Sequence, residues 1–370
     1  MKLPSPGLPA IVSGHRGVLA ALAAAFLFGA GTPLAKILLD QVSPWVLAGL
    51  LYLGSGLGLG LYRLVRGLPT PRLNRSDTAW MSAAVLCGGV LAPTLLMLGL
   101  SGMPSSHAAL LLNAEAVLTT LLAWAVFRES LGRRIVLGMV VIVAGALLLS
   151  WPQNTALQGM QPASLWPALA VLLACALWAL DNNFTRKVAL NDASWIACIK
   201  GLAAGSTNLG LAWAVGTAWP ELTHLSAVIP AAMGVGFLAY GVSLALFVVA
   251  LRHLGASRAG AYFSVAPFVG ALFSVLFLSE PVTWQLLAAA SLMALGIWLH
   301  LTEHHAHSHA HEALEHAHAH AHDLHHQHHR HDRHAQLATT GSHMHWHRHE
   351  PMTHAHAHFP DAHHRHEHGH

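Results

Sequence analysis

The sequence predicts an all-α integral membrane protein: ten transmembrane helices as two inverted five-helix repeats, followed by a disordered His-rich tail. Three observations predict it. First, 54% of the 370 residues are hydrophobic and 9% charged, against about 25% charged in a soluble domain. The apolar residues fall into stretches of about 20, enough helix to cross a bilayer core. Second, Ser106–Glu129, SHAALLLNAEAVLTTLLAWAVFRE, has a counterpart 151 residues on at Ser257–Glu280, SRAGAYFSVAPFVGALFSVLFLSE. The same shift pairs Lys36 with Lys187 and Gly145 with Gly296. Third, 27 of the 67 residues from His304 to His370 are histidine.

Taken in order, residues 1–16 are a short N-terminal segment. Lys2 and Arg16 precede the first apolar run, but no small-residue cleavage site stands between that run and the next polar loop, so the run reads as an uncleaved span. Spans follow at 17–39, 44–62, 78–100, 105–127 and 132–150, which make a first repeat over 17–150. Spans at 164–186, 194–215, 226–250, 257–278 and 283–300 make a second over 151–303. Alternate loops carry Arg63, Arg66, Arg72 and Arg75, then Arg128, Arg133 and Arg134, then Arg186 and Lys187, then Arg252 and Arg258. The loops between them carry almost no cations. By the positive-inside rule both termini are expected in the cytoplasm. An odd number of spans per repeat turns the second repeat upside down, as in many secondary transporters with a site between inverted repeats.

Helix breakers cluster in three spans: Gly29, Gly31 and Pro33 in the first, Gly88, Gly89 and Pro93 in the third, Pro267 in the ninth. Such breaks are tolerated where the freed backbone faces protein or a watery cavity, so these spans are expected to line one. The glycines at 54, 56, 58 and 60 are expected to form a close-packing helix face. Cys87, Cys175 and Cys198 lie in apolar stretches without CxxC spacing and are read as buried thiols.

Over residues 17–300 this pattern resembles the EamA-type transporters of the drug/metabolite transporter superfamily. The resemblance rests on the duplication and on the fourth-span ending with an acidic residue, AWAVFRESLG and again VLFLSEPVT. It rests also on the Gly-ended fifth span VLGMVVIVAGALLL and the sixth span ACALWALDNNFTRKVA. It implies a secondary carrier of the bacterial inner membrane that moves small metabolites, often outward. Substrates differ widely across the superfamily, so none is carried over.

Charges inside the spans are the candidate transport residues. Glu115 lies mid-span, where a carboxylate costs roughly 2.5–3.5 kcal/mol to insert, so it should face the bundle interior. It is a candidate proton carrier. Asp181, with Asn182 and Asn183, lies near the cytoplasmic end of span 6, and Lys200 two turns into span 7 from the same side. By depth the two can pair, as gate, substrate clamp or plain structural contact. Asn113, Asn208 and His107 are weaker candidates; His107, four residues after Met103, reads better as an interfacial residue than as a metal ligand. No GxSxG, Walker, HExxH or phosphate-loop sequence is present, so an enzyme or ATP-driven pump is not expected, nor a required cofactor or nucleic-acid partner.

The tail, residues 304–370, repeats His-x-His in two blocks separated by AQLATTGS. Imidazole suits Zn, Ni, Co and Cu, and the candidate ligands are His304, His305, His307, His309, His311, His316, His318, His320, His322, His325, His326, His343, His345, His347 and His349. Few aliphatic residues are present, so no packed core is expected. So many imidazoles would also gain charge near pH 6.5. Three functions stay open. One is export of a divalent metal ion gathered by the tail. Another is export of an amino acid or other small organic metabolite, with the tail as a metal or pH sensor; protons are a candidate coupling partner of either carrier. The third is a membrane-anchored metal buffer without transport.

Overall fold

The structure, a computed structural model, describes residues 8–70, 75–127, 132–151, 165–188, 192–217, 222–302, 306–311, 314–320, 343–349 and 352–357. It divides into two units, Met1–Glu303 and His304–His370.

Every regular element in the described part of the first unit is a helix. The first half holds α1 (Leu8–Leu39), α2 (Pro44–Val65), α3 (Arg75–Ala84), α4 (Ala92–Ser101), α5 (Ser105–Leu111), α6 (Ala114–Phe127) and α7 (Arg133–Ser150). The second holds α8 (Trp166–Val188), α9 (Ala193–Ala214), α10 (Leu222–Gly236), α11 (Ser243–Phe263), α12 (Ala266–Leu278) and α13 (Trp284–Leu301). Among the described residues, eight helical stretches are long and apolar enough to cross a membrane. The other two expected spans are helical as well. Span 7 is α9, made polar by Lys200, Ser206, Thr207 and Asn208; Asn208 is fully buried against protein, while Ser206 and Thr207 are exposed and bond back to carbonyls of their own helix.

Span 4 is not one helix. It breaks between α5 and α6, at Leu112 and Asn113. Span 9 breaks at the equivalent place, between α11 and α12, at Ser264 and Val265. Pro267 follows directly, in the first turn of α12 where its missing N–H costs nothing. The expected loop between spans 8 and 9 is instead helical, because α11 runs on through 251–256. Polar residues there end the apolar run without ending the helix. α1 likewise begins at Leu8, ahead of the apolar run.

A second symmetric feature is a π-helical turn, Val85–Leu91 between α3 and α4, and Phe237–Val242 between α10 and α11. The two lie one repeat shift apart. In the first, Pro93 supplies no N–H, and the Ala92 N–H reaches back to the Cys87 carbonyl. One extra residue per turn absorbs the proline without a gap in the chain. Pro33, by contrast, sits within a continuous α1.

Lipid removes the hydrophobic drive between helices, so small residues and backbone approach must hold the bundle. α2 packs against α9 and α10 through the expected glycine face. A Cβ at Gly54 would meet the Met233 backbone, and one at Gly56 the backbone of Gly201 and Leu202. The matched pair Gly145 and Gly296 does the same between α7 and α13: their added Cβ atoms would lie 3.1 Å from the Ala289 carbonyl and 2.7 Å from the Gly138 carbonyl. The buried interior contains Leu47, Leu51, Leu96, Met97 and Leu110, while Leu64, Leu147, Phe277 and Trp284 lie on the outside, as a lipid-facing surface requires. Cys175 and Cys198 are buried, Cys87 is half-buried, and all three are free thiols.

In the second unit the described residues form two antiparallel ladders, β1 (Ala306–His311) with β4 (Met352–Ala357), and β2 (Leu314–His320) with β3 (His343–His349). His-x-His alternation has the two-residue period of a strand. Two-stranded ribbons are marginal in water, so the pairing gives the tail a register and no core.

Candidate functional site

The charged residues singled out in the sequence meet where α6, α8 and α9 approach. Lys200 Nζ on α9 donates to both Asp181 oxygens on α8, at 2.7 and 2.5 Å. Thr185 Oγ1, one turn on, adds a bond to Asp181 Oδ1 at 3.0 Å. Asp181 is 4% exposed. A charge so buried is tolerable only with such partners. The next residue, Asn182, donates to Glu115 Oε1 on α6 at 2.8 Å. Glu115 is half-buried and Asn182 exposed. Among the described residues, Asp181 therefore has a cation and Glu115 has only an amide. The amide bond crosses from the first repeat to the second.

The π-helical turn at Val85–Leu91 is built into this cluster. Its turn frees carbonyls that a regular helix would use. The Gly88 carbonyl accepts from Tyr52 Oη at 2.7 Å and Trp178 Nε1 at 3.0 Å. The Gly89 carbonyl accepts from Asn208 Nδ2 at 3.1 Å. A Cβ at Gly88 would fall on the Asp181 carboxylate, so any larger residue there would have to displace the Asp181 side chain. From Tyr52 a line of rings continues: Tyr240 at 5.6 Å, Phe28 at 5.8 Å from Tyr240, and Phe263 at 5.4 Å from Phe28.

Asn113 lies apart from the charges. It is buried at the α5–α6 break, where Nδ2 donates to the Leu110 carbonyl at 2.9 Å and approaches Met293 Sδ at 3.7 Å. Pro93 and Pro267 mark the two broken regions already described. His107 lies at the far end of the bundle beside Met103, in a cavity of about 330 Å³ that also touches Trp151, Glu280 and Gln285. This cavity shares no residue with the Glu115 cluster. No group of three or more His, Cys, Asp or Glu among the described residues could hold a metal ion. The side chains of the tail histidines lie outside the described residues.

Several residues that matter were not found in the sequence. Tyr52, Trp178 and Tyr240 carry no charge and have no repeat mate, so nothing marked them. Glu280 was noticed only as a repeat match. Its two oxygens accept from the N–H groups of Ser105, at 2.6 Å, and Ser106, at 2.9 Å, at the start of α5. Lys36 Nζ donates to the carbonyls of Leu100, in the last turn of α4, and Met103, just past its end, at 2.6 and 3.0 Å. An anion at a helix start and a cation at a helix end both suit the helix dipole. Together they clasp the α4–α5 turn. At the opposite end, Arg63 on α2 binds Asp192, the N-cap of α9, together with Ser194 Oγ and the Pro69 carbonyl. Burial raises the Asp192 pKa. Hydrogen bonds from Ser194, the Trp195 N–H and Arg63, with the Arg63 charge, outweigh it and hold the carboxyl below its usual value.

Several known proteins resemble this chain in sequence or fold. An uncharacterized transporter of Methanothermobacter thermautotrophicus is 27% identical over 299 residues, covering 76% of this chain and 85% of that protein. A Salmonella typhimurium protein named "Probable amino-acid metabolite efflux pump" is 26% identical over 208 residues, 54% of this chain and 68% of its own. A Salmonella paratyphi C protein named as a probable 4-amino-4-deoxy-L-arabinose-phosphoundecaprenol flippase subunit is 34% identical over 104 residues, 28% of this chain and 91% of its own. A solved crystal structure shares the fold, with a TM-score of 0.56 at 19% identity over 77% of this chain and 95% of that one. The model of the EamA-like transporter family matches twice, at residues 15–151 and 165–302, once per repeat, and the chain belongs to that family.

Proposed function

We propose that the chain exports a small organic metabolite bearing an amino group, by alternating access between its inverted repeats, and that Glu115 exchanges a proton for the cargo. One observation carries this reading. Glu115 and Asp181 bring two carboxylates close together, and among the described residues Lys200 bonds to Asp181 while Glu115 accepts only from the Asn182 amide. The site therefore has one carboxylate in excess, with an amide as its described partner. A protonated amine is the complementary cargo, and a proton is the complementary competitor. The adjoining rings of Tyr52 and Tyr240 suit it, since ring faces attract cations. The names of two relatives, an amino-acid metabolite pump and an aminoarabinose flippase subunit, both specify amino compounds. The Arg and Lys distribution favours an inner-membrane protein with both termini in the cytoplasm.

The tail, on this reading, binds divalent transition metals and senses or buffers them. A second reading, with a metal ion as the cargo, is favoured by the 27 tail histidines. Against it stands the absence of a three-ligand cluster among the described residues.

The test is uptake into inverted vesicles by full-length protein, Glu115→Gln, and a chain stopped after Glu303. Radiolabelled amino acids and Ni, Co and Zn are the cargo panel. Amine uptake driven by a pH gradient, lost in Glu115→Gln and kept in the shortened chain, supports the proposal. Metal uptake lost in Glu115→Gln supports the second reading. Metal retention that follows the tail alone, with no cargo moved, leaves a membrane-anchored buffer.

A further inference from the structure

The two histidine blocks of the tail are joined strand to strand. In the β2–β3 ladder His316 is opposite His347, His318 opposite His345, and His320 opposite His343. Residues two apart on a strand share a face, so these six form three rungs on one face of the ribbon. The other face has a different chemistry: Glu315 is opposite Arg348, Ala317 opposite Trp346, and Ala319 opposite Met344. Opposite charges and small-against-large pairs are favourable cross-strand neighbours. A slip of one residue would undo every one of these pairs and move the histidines of one strand to the other face. The sequence thus favours the register in which histidine meets histidine. The β1–β4 ladder segregates in the same way, with His307 opposite His356 and His309 opposite His354.

We propose that β2 and β3 form one cross-strand site for divalent transition ions such as Ni, Zn or Cu, each ion bound by imidazoles from both histidine blocks. This rests on the reading that the tail binds metal, and gives that reading a geometry. Opposite residues have Cβ atoms about 4.5–5.5 Å apart, and a metal–imidazole bond is about 2.0–2.1 Å long. Two residues of one rung can therefore share an ion, and two neighbouring rungs supply four nitrogen ligands. Imidazole suits these borderline metals. The ribbon alone is marginal in water. An ion that bridges it binds the paired state and not the open one, so it stabilises the pairing by linkage. Neither strand holds the ion without the other.

The test counts metal bound to the full-length protein in detergent after loading with Ni and desalting. Five chains are compared: wild type, a chain stopped after Glu303, the set His316→Ala, His318→Ala and His320→Ala, the set His343→Ala, His345→Ala and His347→Ala, and all six substitutions together. Each set of three is expected to lose as much nickel as the six. Losses from the two sets that add up to the loss of the chain with all six substitutions would mean each strand binds on its own. That overturns the cross-strand site and leaves a metal-binding tail. A full-length chain that holds no more nickel than the shortened one would instead remove the metal-binding reading, and this site with it.

Discussion

Removing one partner of the Asp181–Lys200 pair should destabilise the membrane unit far more than removing both. Asp181 is 4% exposed and takes both of its strongest bonds from Lys200. In Lys200→Met the carboxylate keeps only Thr185 Oγ1 and still lies against Gly88. In Asp181→Asn the ammonium loses its counter-charge. Breaking a buried pair from one side costs about 3–5 kcal/mol, while replacing both members by neutral groups is close to neutral. At about 2–4 °C per kcal/mol for a unit of this size, each single substitution lowers the melting temperature by on the order of 10 °C. The double variant recovers most of that. Thermal unfolding of the detergent-purified protein, followed by light scattering and tryptophan fluorescence, measures all three. A double variant that falls by the sum of the single losses would refute the coupling. Transport by the same variants separates two roles. Lys200→Met more damaging than Asp181→Asn points to a clamp on an anionic group, and equal losses point to a pair that positions helices.

Glu115→Gln keeps an oxygen that can accept from Asn182, so it should fold with nearly unchanged melting. It should still exchange cargo across vesicles at equal pH, but lose the response to a pH gradient; a gradient response that survives removes Glu115 as the proton carrier. Gly54→Ala should lower stability by about 1–3 kcal/mol, because the added Cβ would lie 2.5 Å from Met233 Cα. Unchanged melting would mean α2 and α10 part freely. Asp192, with its folded-state pKa lowered, stabilises the protein fully above the ordinary value of about 3.9. That contribution disappears as pH falls through the lower value of the folded state. Melting curves of wild type and Asp192→Asn should therefore converge on acidification, by a small amount because the side chain is 39% exposed. Curves that stay parallel below pH 3 would show that the carboxylate adds nothing.

The spans and the repeat were legible because both are written in residue type: apolar length for the spans, matched Lys, Glu and Gly for the repeat. The Asp181–Lys200 pair was legible for a simpler reason. Both residues are charged, and both lie at similar depth from one end. The π-helical turns were not legible. Pro93 announced a disturbance, but its outcome depended on donors from elsewhere, Tyr52, Trp178 and Asn208, up to 119 residues away. The second turn, Phe237–Val242, has no proline inside it at all. The split of span 4 falls within Leu-Leu-Asn-Ala, where no breaker stands. Asn113 there satisfies a local carbonyl, which stabilises the break once it exists without announcing it. The Glu280 contact with Ser105 joins residues 175 apart, and no local pattern encodes such a contact.

The inverted symmetry of the backbone does not extend to its chemistry. Under the 151-residue shift α6 corresponds to α12 and α8 to α1, and both α6–α8 and α1–α12 are packed pairs. Glu115 then corresponds to Ala266, Asn182 to Gly31 and Asp181 to Ala30. Where one pair makes a carboxylate–amide bond, the other brings Gly29 against the Ala266 carbonyl and Gly270 close to Gly29. A second carboxylate at the equivalent place would add roughly 2.5–3.5 kcal/mol of insertion cost, and a single exchanged proton needs only one. The two contacts also respond differently to that proton. A carboxylate–amide bond changes when the carboxylate is protonated, because one acceptor oxygen becomes a donor. A glycine–carbonyl contact has nothing to protonate. On the proposed reading, sensitivity to protons therefore belongs to the α6–α8 contact alone, and the α1–α12 contact opens and closes on packing.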